Sequence, residues 1–239
     1  DNILKIQKMI LQIKEESADT EAVFLPEAFY SMSNGQGATP YLVEKNNEHL
    51  KAISDLAKEN ELYILGGSAA TKENGKIFNR CYNFGPEGEL IEQYDKIHLF
   101  RIDLKEGEKK TTINEADIYT AGSLTKTFPL GPFKFGLAIC FDLRFPEIFR
   151  RYYQEGVNVI SLSSAFTVPT GRAHWETLLR ARAIENQSYV IACNQWGEHN
   201  EKLTSYGHSM IIDPWGKIIC EGGEGEKILY GEIDIKKIN

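Results

Sequence analysis

The stretch FKFGLAICFDLRFPE, residues 133–147, predicts a strand and the turn that follows it, around which the rest of the chain is interpreted. Apolar side chains alternate up to Ile139, which is the period-2 pattern of a half-buried strand. The apolar run ends at Cys140, directly before a polar and charged turn at residues 142–144. Pro146 suits the first turn of a helix, because its missing N–H would have no partner there. The stretch therefore predicts a strand, a tight turn and a helix, with a cysteine at the end of the strand.

The position of Cys140 makes it a candidate nucleophile. Backbone N–H groups converge where a strand meets the start of a helix, and they favour a thiolate and a developing oxyanion. A lone cysteine in an apolar run is more often a buried structural residue. The choice between the two interpretations therefore depends on what the rest of the chain supplies.

Strand and helix patterns alternate on the carboxyl-terminal side of this unit. A helix is predicted at residues 146–155 and a strand at 157–162, which together with the Cys140 strand form a right-handed parallel β-α-β unit. The pattern repeats with a helix at 173–186 and a strand at 189–192. Further strands are predicted at residues 206–212, 217–220 and 227–233.

The amino-terminal half shows the same alternation. Amphipathic helices are predicted at residues 3–16 and 43–59. Strands are predicted at residues 22–25, 62–70, 78–84 and 90–94. The charged segment 101–117 is predicted to be irregular, with residues 105–110 as a solvated loop. Helices and strands alternating through both halves predict the α/β class with mixed sheets.

Composition narrows the classes of function. The chain has 239 residues with 42% hydrophobic content and no Pro/Gly/Ser-rich linker, so we expect one domain over residues 1–239. A formal net charge of -7 argues against nucleic acid or an anionic membrane as the main partner. No apolar run is long enough to span a bilayer, and the charged start DNILKIQK is not a signal peptide. We therefore expect a soluble protein.

The cysteines are widely spaced and form no CxxC pair: Cys81, Cys140, Cys193 and Cys220. This spacing fits neither a disulfide framework nor a structural zinc site, so no metal is expected. It indicates a reducing, cytoplasmic setting.

Two further charged residues follow predicted strands. Glu27 comes just after the strand at 22–25, and Lys96 comes just after the strand at 90–94. A carboxylate at the end of a buried strand is costly unless it is paired or used. Taken singly, each has an ordinary explanation, as an exposed loop acid and as a solvated lysine.

Taken together, the three strand ends resemble a known family. The segments LPEAF, YDKIHLF and GLAICFDLRFPE are similar, in order and in context, to the three catalytic motifs of the nitrilase or carbon–nitrogen hydrolase superfamily. Within it the chain looks like the Nit-type amidases. The segment DKIHLF is similar to the omega-amidase branch, whereas AFTVPTGRAHWETLLRARAIENQ and SYGHSMIIDPWG look as close, or closer, to the deaminated-glutathione amidase branch.

The resemblance implies a role for each motif residue. Glu27 would be the general base, Lys96 the charged stabiliser and Cys140 the nucleophile. Glu115 falls where the family carries a second glutamate, in a segment that continues to Gly122. The implied reaction is hydrolysis of a small amide through a thioester, with release of ammonia and without a metal or organic cofactor.

The resemblance also implies an architecture. The family fold is a four-layer α-β-β-α sandwich with two stacked mixed sheets and helices outside, which usually assembles as a homodimer or a higher oligomer through a helical face. Family members usually begin with a strand before the first helix and carry a tail after the last strand. This chain has neither, so we expect one sheet edge to be open.

Residues around the motifs are candidates for binding the substrate. The backbone N–H of Phe141 would face the oxyanion, and Arg144 would bind a substrate carboxylate bidentately. The other candidates are Tyr30, Phe166 and Thr170. As alternatives, Arg144 pairs with Glu147 or Asp142, and Phe166 belongs to the core.

Two rival functions remain open from the sequence. One is a Cys-His hydrolase in which His98, His174 or His208 is the base for Cys140. The other is a catalytically silent interaction module on the same scaffold. The sequence also leaves the amide open among 2-oxoglutaramate, 2-oxosuccinamate and deaminated glutathione.

Overall fold

The computed structural model describes residues 2–33, 37–106, 109–200 and 203–238. Within these ranges the α-helices are α1 (Asn2–Glu16), α2 (Glu48–Asn60), α3 (Pro146–Gln154) and α4 (Val168–Asn186). All four predicted helices are confirmed, with two changes at their starts. Helix α2 begins later than predicted because the Asn47 side chain caps it, accepting a hydrogen bond from the Leu50 N–H at 3.0 Å. Helix α4 begins earlier than predicted, with Pro169 in its first turn.

The first sheet is mixed. Its strands are β1 (Ala22–Phe24), β2 (Tyr63–Leu65), β3 (Ser68–Glu73), β4 (Lys76–Phe84) and β5 (Leu90–Asp95). They run in the order β1-β2-β4-β3 with β5 also on β4, and β1 pairs with β2 in parallel. The single strand predicted over residues 62–70 is wrong, because Gly66 has a φ of +79° and breaks it. At Gly67 a Cβ would lie 2.6 Å from the Phe29 ring, so the chain passes too close for any side chain.

The segment predicted to be irregular is instead a β-hairpin. Strands β6 (Arg101–Glu106) and β7 (Lys109–Asn114) pair in antiparallel fashion, with Arg101 opposite Asn114. Residues 107 and 108 of the predicted loop lie outside the described residues. The prediction failed because it weighed the charged residues above the β-forming Thr and Ile residues between them.

The second sheet is also mixed. The remaining strands are β8 (Thr127–Leu130), β9 (Phe133–Ile139), β10 (Val159–Ser164), β11 (Tyr189–Asn194), β12 (Trp196–Asn200), β13 (Leu203–Tyr206), β14 (Met210–Ile212) and β15 (Ile218–Glu221). Strands β12 and β13 form a separate hairpin, and the sheet order is β15-β14-β11-β10-β9-β8. Strands β9, β10 and β11 are parallel, as the two β-α-β patterns predicted.

Two predicted strands near the end of the chain are wrong. The one over residues 206–212 is split, because the chain turns at Gly207, whose φ is +75°. The one over residues 227–233 does not form, because the segment passes the second sheet at Ile211 and Cys220 without pairing as a strand. There the Tyr230 hydroxyl donates to Glu16 at 2.7 Å, and Lys5 pairs with Glu226.

The two sheets face each other with helices on both outer sides. The rings of Phe24 in β1 and Phe135 in β9 stack at 6.1 Å between the sheets. Helices α1 and α2 cover the first sheet with Ile10, Leu56 and other buried apolar residues, and α3 and α4 cover the second with residues such as Trp175. This arrangement confirms the α/β class and the four-layer α-β-β-α sandwich. Among the described helices none is long and apolar enough to cross a membrane.

Candidate active site

Glu27, Lys96 and Cys140 come together at the ends of three strands. Lys96 directly follows β5, Cys140 directly follows β9, and Glu27 lies just beyond β1. The Nζ of Lys96 lies 2.8 Å from Oε1 of Glu27, and the two side chains are only 1% and 6% exposed. The charges of both act on the Cys140 thiol. The structure thus brings residues from both sheets into one buried cluster.

Glu115, which directly follows strand β7, belongs to the same cluster. Its Oε2 lies 2.8 Å from the Lys96 Nζ and accepts a hydrogen bond from the Phe100 N–H at 2.7 Å. The chain after it runs beside Lys96, whose carbonyl accepts a hydrogen bond from the Gly122 N–H at 2.8 Å. Lys96 therefore lies between two carboxylates.

Two polar residues that the sequence did not single out hold Glu27. The Nδ2 of Asn79 donates to Oε1 of Glu27 at 2.8 Å, and the Nε2 of Gln195 donates to the Glu27 carbonyl at 3.0 Å. The carbonyl of Asn79 also accepts the Lys96 N–H at 3.0 Å. Asn79 has a weak signal in the sequence, because it is a polar residue inside the buried strand β4.

A third residue that the sequence missed is Tyr119. Burial, and then the charges of Glu115 and Glu27, raise the pKa of Tyr119 to about 12. Its backbone N–H donates to the carbonyl of Glu115 at 2.8 Å. The phenol therefore lies within electrostatic reach of the acidic cluster.

The charges of the cluster are mutually dependent. Burial would lower the pKa of the Lys96 ammonium, but the charges of Glu115 and Glu27 raise it well above its ordinary value. Burial raises the pKa of Glu115, and Glu27 adds to that rise while Lys96 opposes it. Lys96 is therefore held as a cation, and Glu115 binds a proton more readily than an isolated carboxylate would.

Cys140 occupies a strained turn. Its φ is +48°, an uncommon value for a residue with a side chain, and it is 8% exposed. Burial, and then the charge of Glu27, raise the pKa of the Cys140 thiol well above its ordinary value, although Lys96 and the Ala165 N–H oppose the rise. The expectation that the strand end favours a thiolate is therefore wrong for the resting site, because desolvation outweighs the nearby donors.

Arg144 faces aromatic rings and a histidine. Its guanidinium carbon lies 5.6 Å from the Phe141 ring and 5.5 Å from the Phe166 ring, and its Nη2 donates to Nδ1 of His174 at 3.2 Å. Neither of the predicted acidic partners pairs with it in the part of the chain that the structure describes. Burial lowers its pKa, which is consistent with a cation that lacks an anionic partner.

The other binding candidates have varied surroundings. Phe166 is 4% exposed and packs 4.8 Å from Trp175, so it belongs to the core and also contacts Arg144. The hydroxyl of Thr170 lies 2.9 Å from that of Thr167. The Tyr30 hydroxyl lies 2.6 Å from Nδ1 of His49. The roles of Thr170 and Tyr30 stay predictions.

The three histidines considered as bases have other partners. His98 bonds Asp142, His174 accepts from Arg144, and His208 lies 2.6 Å from Glu221. Across the described ranges no histidine hydrogen bonds to Cys140, and no group of three or more His, Cys, Asp or Glu side chains is arranged to hold a metal ion. The geometry thus favours Glu27 over a histidine as the partner of the thiol.

Comparison with known proteins identifies the family of this chain. Residues 1–239 match the model of the family described as Carbon-nitrogen hydrolase. The chain is 36% identical over 238 residues to the omega-amidase NIT2 of Mus musculus and 35% identical to that of Homo sapiens, covering 100% of this chain and 84% of each relative. Among solved structures it is similar to Saccharomyces cerevisiae Nit3, a member of branch 10 of the nitrilase superfamily. That match has a TM-score of 0.87 and 33% identity, covering 99% of this chain and 85% of that one.

Proposed function

This chain belongs to the carbon–nitrogen hydrolase family and is an amidase, and on that premise we propose that it hydrolyses a small carboxylate-bearing amide through a thioester on Cys140. The observation that carries the proposal is the buried Lys96 ammonium. It lies 2.8 Å from a Glu27 oxygen and 2.8 Å from a Glu115 oxygen, and its charge acts on the Cys140 thiol. An acid, a cation and a thiol in one buried cluster are the parts that nucleophilic amide hydrolysis requires.

The first step is attack by sulfur. Because burial keeps Cys140 protonated at rest, its proton has to leave as the bond to the amide carbon forms. Glu27 is the acceptor, since it is the carboxylate whose charge acts most strongly on the thiol. Asn79 and Gln195 fix the position of Glu27 through side-chain and backbone bonds.

The negative charge that develops on the amide oxygen is stabilised by two groups. These are the ammonium of Lys96 and the backbone N–H of Phe141. In a site without water such donors are worth far more than in solution, and losing one typically costs roughly 10²–10³ in rate. Glu115 keeps Lys96 charged while Glu27 carries the proton.

The tetrahedral intermediate then collapses. Glu27 returns its proton to the leaving nitrogen, the C–N bond breaks, and ammonia departs to leave a thioester on Cys140. Glu27 next takes a proton from a water molecule that attacks the thioester carbon. The C–S bond breaks, the sulfur regains its proton, and the product is a carboxylic acid.

The substrate class follows from Arg144. It is a partly buried cation beside the nucleophile turn, without a carboxylate partner in the described part of the chain, and it is flanked by the Phe141 and Phe166 rings. A guanidinium in that position matches a substrate carboxylate bidentately. The similarity to omega-amidases supports the same class, which includes 2-oxoglutaramate and 2-oxosuccinamate. Deaminated glutathione also carries carboxylates and stays an alternative.

Assembly and compartment complete the proposal. A homodimer or higher oligomer through a helical face is supported by exposed apolar side chains on the outer helices, with Leu4 56%, Leu11 59% and Ile184 53% exposed. Four free cysteines support a reducing compartment such as the cytoplasm.

Two measurements test the proposal together. Ammonia release is measured across a panel of short omega-amides with and without a carboxylate, and rapid quenching followed by peptide mass spectrometry detects an acyl group on Cys140. The expected result is ammonia release with the acyl mass on the Cys140 peptide alone. Cys140→Ser should remove both signals, whereas Cys220→Ser, a cysteine on β15 at the end of the second sheet, should keep them. Folded wild-type protein that releases no ammonia from any amide would instead support a silent module.

A further inference from the structure

Asp142 lies two residues after Cys140 and forms the centre of a buried hydrogen-bond network. It is 0% exposed. Its Oδ2 accepts from the Tyr94 hydroxyl at 2.7 Å and from the Ile139 N–H at 2.9 Å. Its Oδ1 accepts from the His98 N–H at 2.9 Å and lies 2.7 Å from the His98 Nδ1. Since a carboxylate oxygen only accepts, His98 carries its hydrogen on Nδ1.

The donors of this network flank Lys96. Tyr94 lies two residues before Lys96 and His98 two residues after it, so both side chains leave the same segment at the end of β5. The Tyr94 hydroxyl also accepts the Ile97 N–H at 3.3 Å, which ties the segment to itself. Three of these four hydrogen bonds to the Asp142 carboxylate therefore come from the residues around Lys96, and the fourth comes from the residue before Cys140.

From this arrangement we infer that Tyr94 and His98 are positioning residues, which act through Asp142 to hold the Cys140 turn at a fixed distance from Lys96. The inference deepens the proposed function and rests on the roles given there to Lys96 and Cys140. The inference adds a hydrogen-bond network that keeps Lys96 and Cys140 close enough to act on one substrate carbonyl.

A network that fixes the position of Cys140 relative to Lys96 has a physical basis. Lys96 and Cys140 follow strands of different sheets, and the apolar contacts between sheets are not directional, so they permit small shifts. A misplacement of about 1 Å between reacting groups can cost about 10²-fold in rate. The positive φ of Cys140 also persists only where the surroundings enforce it.

A second contact fixes the far end of the same turn. The His98 ring stacks on the Phe145 ring with centroids 3.6 Å apart and planes 7° apart. Phe145 directly precedes helix α3, and its N–H donates to the Asp142 carbonyl at 2.9 Å. His98 thus contacts the turn both through Asp142 and through Phe145.

Three variants separate positioning from other roles. His98→Leu removes the Nδ1 donor and the ring, His98→Asn keeps a donor at the Nδ1 position, and Tyr94→Phe removes one buried oxygen only. The readouts are kcat and KM for amide hydrolysis, together with the rate at which iodoacetamide alkylates Cys140, followed by peptide mass spectrometry. His208→Asn is the matched control for His98→Asn, because it makes the same exchange at another Nδ1–carboxylate contact, of 2.6 Å, outside the site.

We expect His98→Leu to lower kcat by roughly 10- to 100-fold with KM changed less than about threefold, and to change the alkylation rate of Cys140 as well. Tyr94→Phe should lower kcat by about tenfold, the value typical of one hydrogen bond to a charged group. His98→Asn should recover most of the kcat lost in His98→Leu. The His208→Asn control should match the wild type in all readouts.

Other outcomes would overturn the inference. If His98→Leu and Tyr94→Phe fold and keep the wild-type kcat and alkylation rate, the network is structural only. If His98→Asn is as inactive as His98→Leu, His98 acts as an acid or base instead. If His98→Leu does not fold, Tyr94→Phe alone decides by the same two readouts. Alkylation of Cys140 needs no turnover. An absence of amidase activity in the wild type would therefore refute the proposed function, while the alkylation rates of the variants would still test the positioning of Cys140.

Discussion

Glu27 and Glu115 share one cation, since an oxygen of each carboxylate lies 2.8 Å from the Nζ of Lys96. The two acids nevertheless differ in their other partners. Glu27 accepts a bond from the Asn79 side chain, whereas Glu115 accepts one from the Phe100 N–H. Glu27 also raises the pKa of the Cys140 thiol more than Glu115 does. These differences support the proposal that Glu27 transfers the protons and Glu115 holds Lys96.

The first prediction concerns the base. Glu27→Gln keeps the size of the side chain and an oxygen that can accept from Asn79, but it cannot take a proton. We expect kcat/KM for amide hydrolysis to fall by roughly 10²–10⁴-fold in a folded protein. Ammonia release and circular dichroism check this, with the exposed Glu147→Gln as control. Activity within about threefold of the wild type would show that another group is the base.

A smaller loss is expected at the second acid. Glu115→Gln leaves Lys96 paired with Glu27 but removes one of its two counter-charges, so kcat should fall by roughly 10- to 100-fold with little change in KM. Asp117→Asn lies in the same short helix, is exposed, and should behave like the wild type. Steady-state kinetics on one amide measures both variants, and equal losses in Glu115→Gln and Glu27→Gln would contradict the division of roles.

The resting protonation of Cys140 leads to a prediction about pH. Because burial and Glu27 raise the pKa of the thiol well above 9.0, the thiolate fraction should still be rising above pH 9. The rate of Cys140 alkylation by iodoacetamide should therefore increase through pH 9 without a plateau. Removing the negative charge in Glu27→Gln lowers that pKa, so its curve should shift to lower pH. A wild-type plateau below pH 8 would show that the thiol is activated at rest.

The sequence predicted that Glu27, Lys96 and Cys140 act together because their three motifs resemble those of a known family, and the structure brings the three into one cluster. Each of these residues is a reactive or charged side chain at or just after the end of a predicted strand, and each motif is a short continuous segment of the sequence. The role of Asn79 could not be predicted from a short motif, because its contact with Glu27 joins residues 52 positions apart in the chain. Tyr119 is equally hidden, since only the folded segment after Glu115 brings it near the acids.

The errors of the sequence-based prediction have similar causes. The β6–β7 hairpin is rich in charged residues, and local polarity hid its strand pairing. The segment 227–233 has a strand-like pattern, yet it does not pair with a neighbouring strand, and such pairing is not readable from the local pattern. The pKa of Cys140 depends on burial, which residue order alone does not reveal.

A glycine beside Lys96 gives a steric prediction. At Gly122 a Cβ would lie 2.2 Å from the Asp95 carbonyl oxygen, a backbone atom with no freedom to move away. Gly122→Ala should therefore displace the Lys96 segment, destabilise the fold by about 1–3 kcal/mol and reduce activity. Gly222→Ala is the control, because its nearest atoms lie at an ordinary 3.6 Å. Thermal unfolding and ammonia release test both, and an unchanged Gly122→Ala variant would show that the segment is free to shift.

Substrate preference tests the role of Arg144. Its guanidinium lies between the Phe141 and Phe166 rings and has no carboxylate partner within the described ranges, so a substrate carboxylate would supply the missing charge. Arg144→Ala should lower kcat/KM for carboxylate-bearing amides by roughly 10- to 100-fold and leave neutral amides within about threefold, because only the former lose a charge-assisted bond. Arg144→Lys should recover part of the loss, since an ammonium cannot bind a carboxylate bidentately. Arg150→Ala, an exposed arginine on α3 that lies over Tyr153, is the control. Equal wild-type rates on both kinds of amide, or a preference that survives in Arg144→Ala, would assign carboxylate recognition to another residue.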